Sequence, residues 1–233
     1  MKKLLAGFTL IEMSIVLIVI SLILAGVLKT VGVQRQQLKR DETRQQLETI
    51  KQALIGFAAT EGRLPCPDTD NDGQSNDPAV PNGNTCTSDE GFLPHIDLGV
   101  GRQDAWGNPF RYRVSSNGAT NFADEPSPGL ESSFTMADVG DIDMTNAAGA
   151  AVANNVPAVV VSYAENGRQT INNIDCGAGV PSITEAENCD NDPGVNPVFI
   201  SDDYLTDFDD LVIWVPLTVL KNRMIEAGRL ALP

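Results

Sequence analysis

The chain has a single histidine, His95, and no C-x-x-C, G-x-S-x-G or P-loop motif. These absences remove a histidine-built metal centre, a thioredoxin-like redox site, an α/β-hydrolase nucleophile and a nucleotide-phosphate cradle. An enzyme is therefore not expected. Basic residues are also scarce in the larger part of the chain. Beyond residue 60 there are 8 Lys or Arg against 27 Asp or Glu, whereas residues 1–60 hold 8 basic and 4 acidic groups. A surface of that sign repels phosphate backbones, so no nucleic-acid partner is expected. It suits solubility outside the cytoplasm and the binding of divalent cations.

Four cysteines are present, Cys66, Cys86, Cys176 and Cys189, all in loop-like sequence after the apolar N-terminal segment. Two disulfides in an oxidising compartment follow more simply than four free thiols. Three connectivities are open. Proximity in sequence favours Cys66–Cys86 and Cys176–Cys189, each worth roughly 3 kcal/mol if unstrained.

The residues from Phe8 to Val33 are interrupted by few polar side chains, a length sufficient to cross a hydrocarbon core of roughly 30 Å. An ordinary signal peptide, with Lys2 and Lys3 ahead of the apolar run and a cut near Ala25-Gly26, or a plain signal anchor, would account for most of it. Both leave Glu12 unexplained, because a carboxylate at a bilayer centre costs about 2.5–3.5 kcal/mol. Gly7-Phe8-Thr9-Leu10-Ile11-Glu12 resembles the processing site of type IV prepilins and pseudopilins: a short basic leader, Gly, Phe, and Glu at the fifth mature position. The resemblance implies cleavage after Gly7 and methylation of the Phe8 amine by a prepilin peptidase. It also implies pairing of Glu12 with the Phe8 amine of a neighbouring subunit, a contact better at fixing register than at adding stability. The expected partners are that peptidase, other pilin or pseudopilin subunits, the inner-membrane assembly platform and the lipid bilayer. Counting of basic residues disagrees on orientation, since Lys29, Arg35, Lys39 and Arg40 follow the apolar run. The cysteines and the processing site require the opposite, with the C-terminal domain periplasmic on a single-pass inner-membrane protein.

The resulting expectation divides the chain into a leader (1–7), a transmembrane and assembly helix (8–33) and a periplasmic globular domain (34–233). The helical pattern continues to residue 60, without proline and with Leu47, Ile50, Leu54 and Phe57 as an apolar stripe. The expected fold is α+β and pilin-like: one long helix, membrane half and amphipathic half, packed on a small antiparallel sheet with long disulfide-tied loops and a C-terminal helix. Short strands are expected at Phe110–Val114, Ala158–Tyr163 and Leu211–Val215, and a last helix over Thr218–Ala227 ended by Gly228. Residues 116–155 and 167–205 look like long insertions. The run Asp104-Ala-Trp-Gly-Asn-Pro-Phe-Arg-Tyr112 resembles a D-x-W-G-N-P-x-x-Y turn of type II secretion pseudopilins, with Trp106 plugging the base of the sheet.

Asp68, Asp70 and Asp72, followed by Gly73, place carboxylates at positions 1, 3 and 5 of a Ca²⁺ loop, with Gln74 at the backbone-carbonyl position and Asn76 at position 9. Position 12 is Ala79, so an EF-hand lacks its bidentate Glu; Asp77 is the substitute. A solvated acidic loop is the alternative. A second cluster, Asp202, Asp203, Asp207, Asp209 and Asp210, fits no loop template and reads as capping or solvation, with the late-loop calcium site that the pseudopilin resemblance implies as the alternative. The expectation for function is a structural subunit, a minor pilin or pseudopilin of a type IV pilus or type II secretion-like filament. The alternative is a membrane-tethered or secreted calcium-binding recognition module that does not polymerise.

Overall fold

A computed structural model describes residue 7 and residues 9–76, 86–116, 121–167, 183–189, 197–204 and 208–231. The chain divides into two compact units, Met1–Asp41 and Glu42–Pro233, and α1 (Leu10–Glu61) contributes to both.

In the first unit α1 begins at Leu10, and its apolar side chains stand in the open. Leu10, Leu17 and Leu22 are 92%, 61% and 70% exposed. Ser14 and Ser21 return their hydroxyls to the carbonyls of Ile11 and Leu17 at 2.9 and 2.7 Å, which satisfies both groups without water. The expected membrane half requires correction. Among the described residues no helix is long and apolar enough to cross a membrane. Beyond Gly32 the helix is dominated by Gln34, Arg35, Gln36, Gln37, Lys39 and Arg40. That does not fit the expected single pass through the inner membrane.

In the second unit the remainder of α1 lies on a four-stranded antiparallel sheet of order β1-β2-β5-β7. The strands are β1 (Glu90–Phe92), β2 (Arg111–Val114), β5 (Ala158–Ser162) and β7 (Leu211–Trp214). The buried stripe of α1 is Leu47, Ile50, Leu54, Ile55 and Ala58, with Phe57 only partly covered. It packs on Phe110, Tyr112, Val114 and Val160. Leu220 and Met224 of the last helix, α4 (Leu217–Glu226), complete this core. Each such side chain contributes about 1.5–3 kcal/mol by leaving water.

The expected single small sheet is the second correction. β3 (Ile142–Thr145), β4 (Ala151–Val156) and β6 (Val198–Ile200) form another sheet, order β4-β3-β6, antiparallel between β3 and β4 and parallel between β3 and β6. The segments expected to be insertions thus carry three strands and α3 (Ile183–Cys189). The physical reason lies in β5. Ala158 and Val160 belong to the core under α1, whereas Val159 and Val161 pack with Ile142, Met144, Val156 and Phe199. All five residues of β5 are buried. A strand apolar on both faces needs cover on both, so the second sheet is the third layer.

Candidate functional site

The N-terminal site is built on local chemistry. Thr9 precedes the first helical residue, and its backbone N–H and hydroxyl both donate to Glu12 Oε2 at 3.1 Å. The Glu12 N–H returns a bond to Thr9 Oγ1 at 3.3 Å. This is a capping box, in which two otherwise orphaned donors are satisfied reciprocally. The T-x-x-E spacing ahead of an apolar run is its sequence signature. Glu12 therefore has a structural task within its own chain, near the positive end of α1. Gly7 is exposed, and Phe8 lies outside the described residues.

The acidic loop is held by the fold more tightly than by charge. Cys66 forms a disulfide with Cys86, and the Cys66 N–H donates to Ser75 Oγ at 2.8 Å. Asp68 is fully buried; its two oxygens accept the N–H groups of Asn71 at 2.6 Å and Gly73 at 2.8 Å. Asp72 accepts the N–H of Gln74 at 2.8 Å, and its other oxygen accepts the Gln74 amide at 3.2 Å. Carboxylate oxygens of Asp68, Asp70 and Asp72 lie within 4.8 Å of one another. Asn76 instead turns its Oδ1 onto the Thr69 N–H and hydroxyl. Asp77 lies outside the described residues. The carbonyl of Gly73 accepts the Ile96 N–H at 2.9 Å, which docks the loop on α2 (His95–Leu98). Ser75 N–H adds a bond to Asp97 at 2.6 Å. The three aspartates offer the oxygen donors that a hard divalent cation takes.

The other expected residues have structural tasks. Asp202 accepts the Ala147 N–H at 2.9 Å, Asp209 accepts the Glu165 N–H at 3.0 Å, and Asp210 accepts the Asn188 amide at 2.9 Å. Asp207 lies outside the described residues. His95 packs its ring beside Gly73. Cys189 is disulfide-bonded, and Cys176, its expected partner, lies outside the described residues. In the tryptophan turn, the organising residue is Asp104 rather than Trp106. Buried Asp104 accepts the N–H groups of Trp106 and Asn108 at 2.9 and 2.8 Å and the Ser162 hydroxyl at 2.7 Å. Trp106 is only partly covered at the edge of the core.

Sequence reasoning missed a carboxylate group at the end of β2. The Asp89 carbonyl accepts the Val114 N–H at 2.9 Å, and Asp141 accepts the Ser116 N–H at 3.4 Å. Burial, and then the neighbouring Asp89, push the Asp124 carboxyl up to about 6. Burial also raises Asp89, against the Ser116 hydroxyl and Arg113 that stabilise its charge.

No family model matches the chain, and no curated protein or solved structure is significantly similar to it.

Proposed function

We propose that this chain is a non-enzymatic structural subunit, a minor pilin or pseudopilin of a type IV pilus or type II secretion-like filament. One observation carries the reading. Directly behind the Gly7-Phe8 junction, α1 exposes a continuous series of large apolar side chains, with Leu10, Ile11, Ile15, Leu17 and Leu22 each more than half exposed. Exposed apolar surface on this scale marks a surface meant for lipid or for other subunits. In the proposed cycle a prepilin peptidase removes residues 1–7 and methylates the Phe8 amine, an inner-membrane platform collects the subunits, and their N-terminal helices bury one another. The N-terminal segment contacts lipid before assembly, and the domain stays on the periplasmic side, where its disulfides are stable. The capping box uses Glu12 Oε2 alone. In this reading Oε1 meets the Phe8 amine of the next subunit.

Mass spectrometry of the mature N-terminus tests this directly. Methylated Phe8 is the expected result, and an intact Met1 or a cut near Ala25 refutes it. Glu12→Ala is expected to leave expression intact and to block incorporation into filaments; normal incorporation overturns the register role.

The convergence of Asp68, Asp70 and Asp72 favours a second reading, a calcium-binding recognition module that does not polymerise. We propose a hard divalent cation, Ca²⁺ in the first instance, as its ligand. Calorimetry of the full chain in detergent should show heat with Ca²⁺ that Asp70→Asn with Asp72→Asn abolishes. No heat up to about 1 mM, the weak end of extracellular calcium sites, removes the cation.

A further inference from the structure

Among the described residues the four-stranded sheet ends at β7, which pairs there only with β5. Val215 N–H donates to the Ala158 carbonyl at 3.0 Å, and hydrogen-bonded residues alternate along an antiparallel ladder. The backbone groups of Leu211, Ile213 and Val215 therefore face β5, and those of Val212 and Trp214 point outward from the open edge. A cleft of about 550 Å³ lies along that edge. Leu211, Val212 and Ile213 line it in succession. Because side chains alternate between faces, three successive residues line one cleft only along the strand's edge. One wall is α1, with Arg44, Leu47 and Glu48; the other belongs to the smaller sheet and its loops, with Val152, Asp202 and Asp203. The slot is the place of a further strand in the middle layer, sandwiched as β5 is.

Exposed edges are usually blunted by charge, proline or a bulge. Leu211-Val-Ile-Trp214 contains no charge or proline, and its register with β5 is unbroken. Among the described residues, Glu48, Asp202, Asp203 and the buried Asp210 line the cleft with Arg44, and Lys51 pairs with Glu48, which leaves carboxylates in excess of cations. Charge of that sign selects a basic occupant, and this chain's own acidic loops would be repelled. We propose that the β7 edge is a docking site for an extended Lys- or Arg-bearing segment of a partner protein, bound as a fifth strand. Main-chain hydrogen bonds to Val212 and Trp214 would supply affinity, and the rim carboxylates selectivity. The proposal stands apart from the filament reading.

The test uses the full ¹⁵N-labelled chain in zwitterionic detergent with a capped Lys-Val-Lys-Val-Lys-Val peptide. The expected result is saturable binding that slows amide exchange at Val212 and Trp214 by roughly tenfold or more, while other strands are unaffected. A version N-methylated on alternate amides and a Glu-Val repeat should not bind. Asp202→Asn with Asp203→Asn, which keeps an acceptor for Ala147, should weaken binding by roughly five- to tenfold, as expected for two rim charges. Absence of binding at about 1 mM, the affinity of a negligible peptide contact, overturns the proposal. So does binding that leaves Val212 and Trp214 unprotected, or that tolerates N-methylation.

Discussion

Asp104→Ala is the substitution whose cost the structure defines most closely. The side chain is 5% exposed and accepts three hydrogen bonds, from the N–H groups of Trp106 and Asn108 and the hydroxyl of Ser162. Alanine removes both acceptor oxygens and with them all three bonds. Asn108 is itself buried and Trp106 partly so, so the two N–H groups become unsatisfied at about 1–3 kcal/mol each. Ser162 can rotate its hydroxyl, and its loss is smaller. The expected destabilisation is about 3–5 kcal/mol, a large share of a domain's stability of roughly 5–15 kcal/mol. Asp104→Asn keeps one oxygen for both N–H groups and offers its amide to the serine, so its cost should stay near 1 kcal/mol. Urea unfolding of the full chain in detergent, followed by tryptophan fluorescence, measures both. A loss below about 1 kcal/mol for the alanine variant, or equal losses for the two, refutes the argument.

Two further predictions concern the loops. Asp124 carries a folded-state carboxyl at about 6, raised from its ordinary value near 3.8. The folded chain therefore holds that proton more tightly, and this group's contribution to stability is greatest at low pH and declines as pH rises from about 4 to 6. Asp124→Asn should flatten that decline and raise the urea midpoint at neutral pH; parallel pH profiles for the two proteins refute it. Gly73→Ala should destabilise the acidic loop, because φ there is +93° and a Cβ would stand 2.4 Å from the His95 ring. The expected sign is a lower melting temperature and faster exchange at the Asn71 and Gly73 amides, whose bonds to Asp68 depend on that packing; an unchanged melting temperature refutes it.

Much of the second unit was readable from local pattern. Three observed strands lie within a residue of the spans that β-branched runs and turn residues mark, and α4 does the same at the C-terminus. Period and turn chemistry are local properties, so one sequence suffices for them. The second sheet was not readable. Ala151-Val-Ala-Asn-Asn-Val156 has weak strand propensity and becomes a strand by pairing with β3. β3 itself alternates, with Ile142 and Met144 buried, but four residues beside Gly and Asp are too short a signal.

The candidate sites divide along the same line. The sequence alone determined the Gly7-Phe8 junction, the Asp68–Asp72 spacing and the acidic balance, since those are facts of order and composition. It also held the T-x-x-E signature, whose bonds form within four residues. Only the tertiary structure decided that Asp104 is the hub of the tryptophan turn, that Asp202, Asp209 and Asp210 hold loops in place, and that β5 is covered on both faces. It alone placed the open edge of β7 beside the rim carboxylates. Each of those features includes a link between residues tens of positions apart, and their energies come from burial and long-range pairing that local pattern does not record.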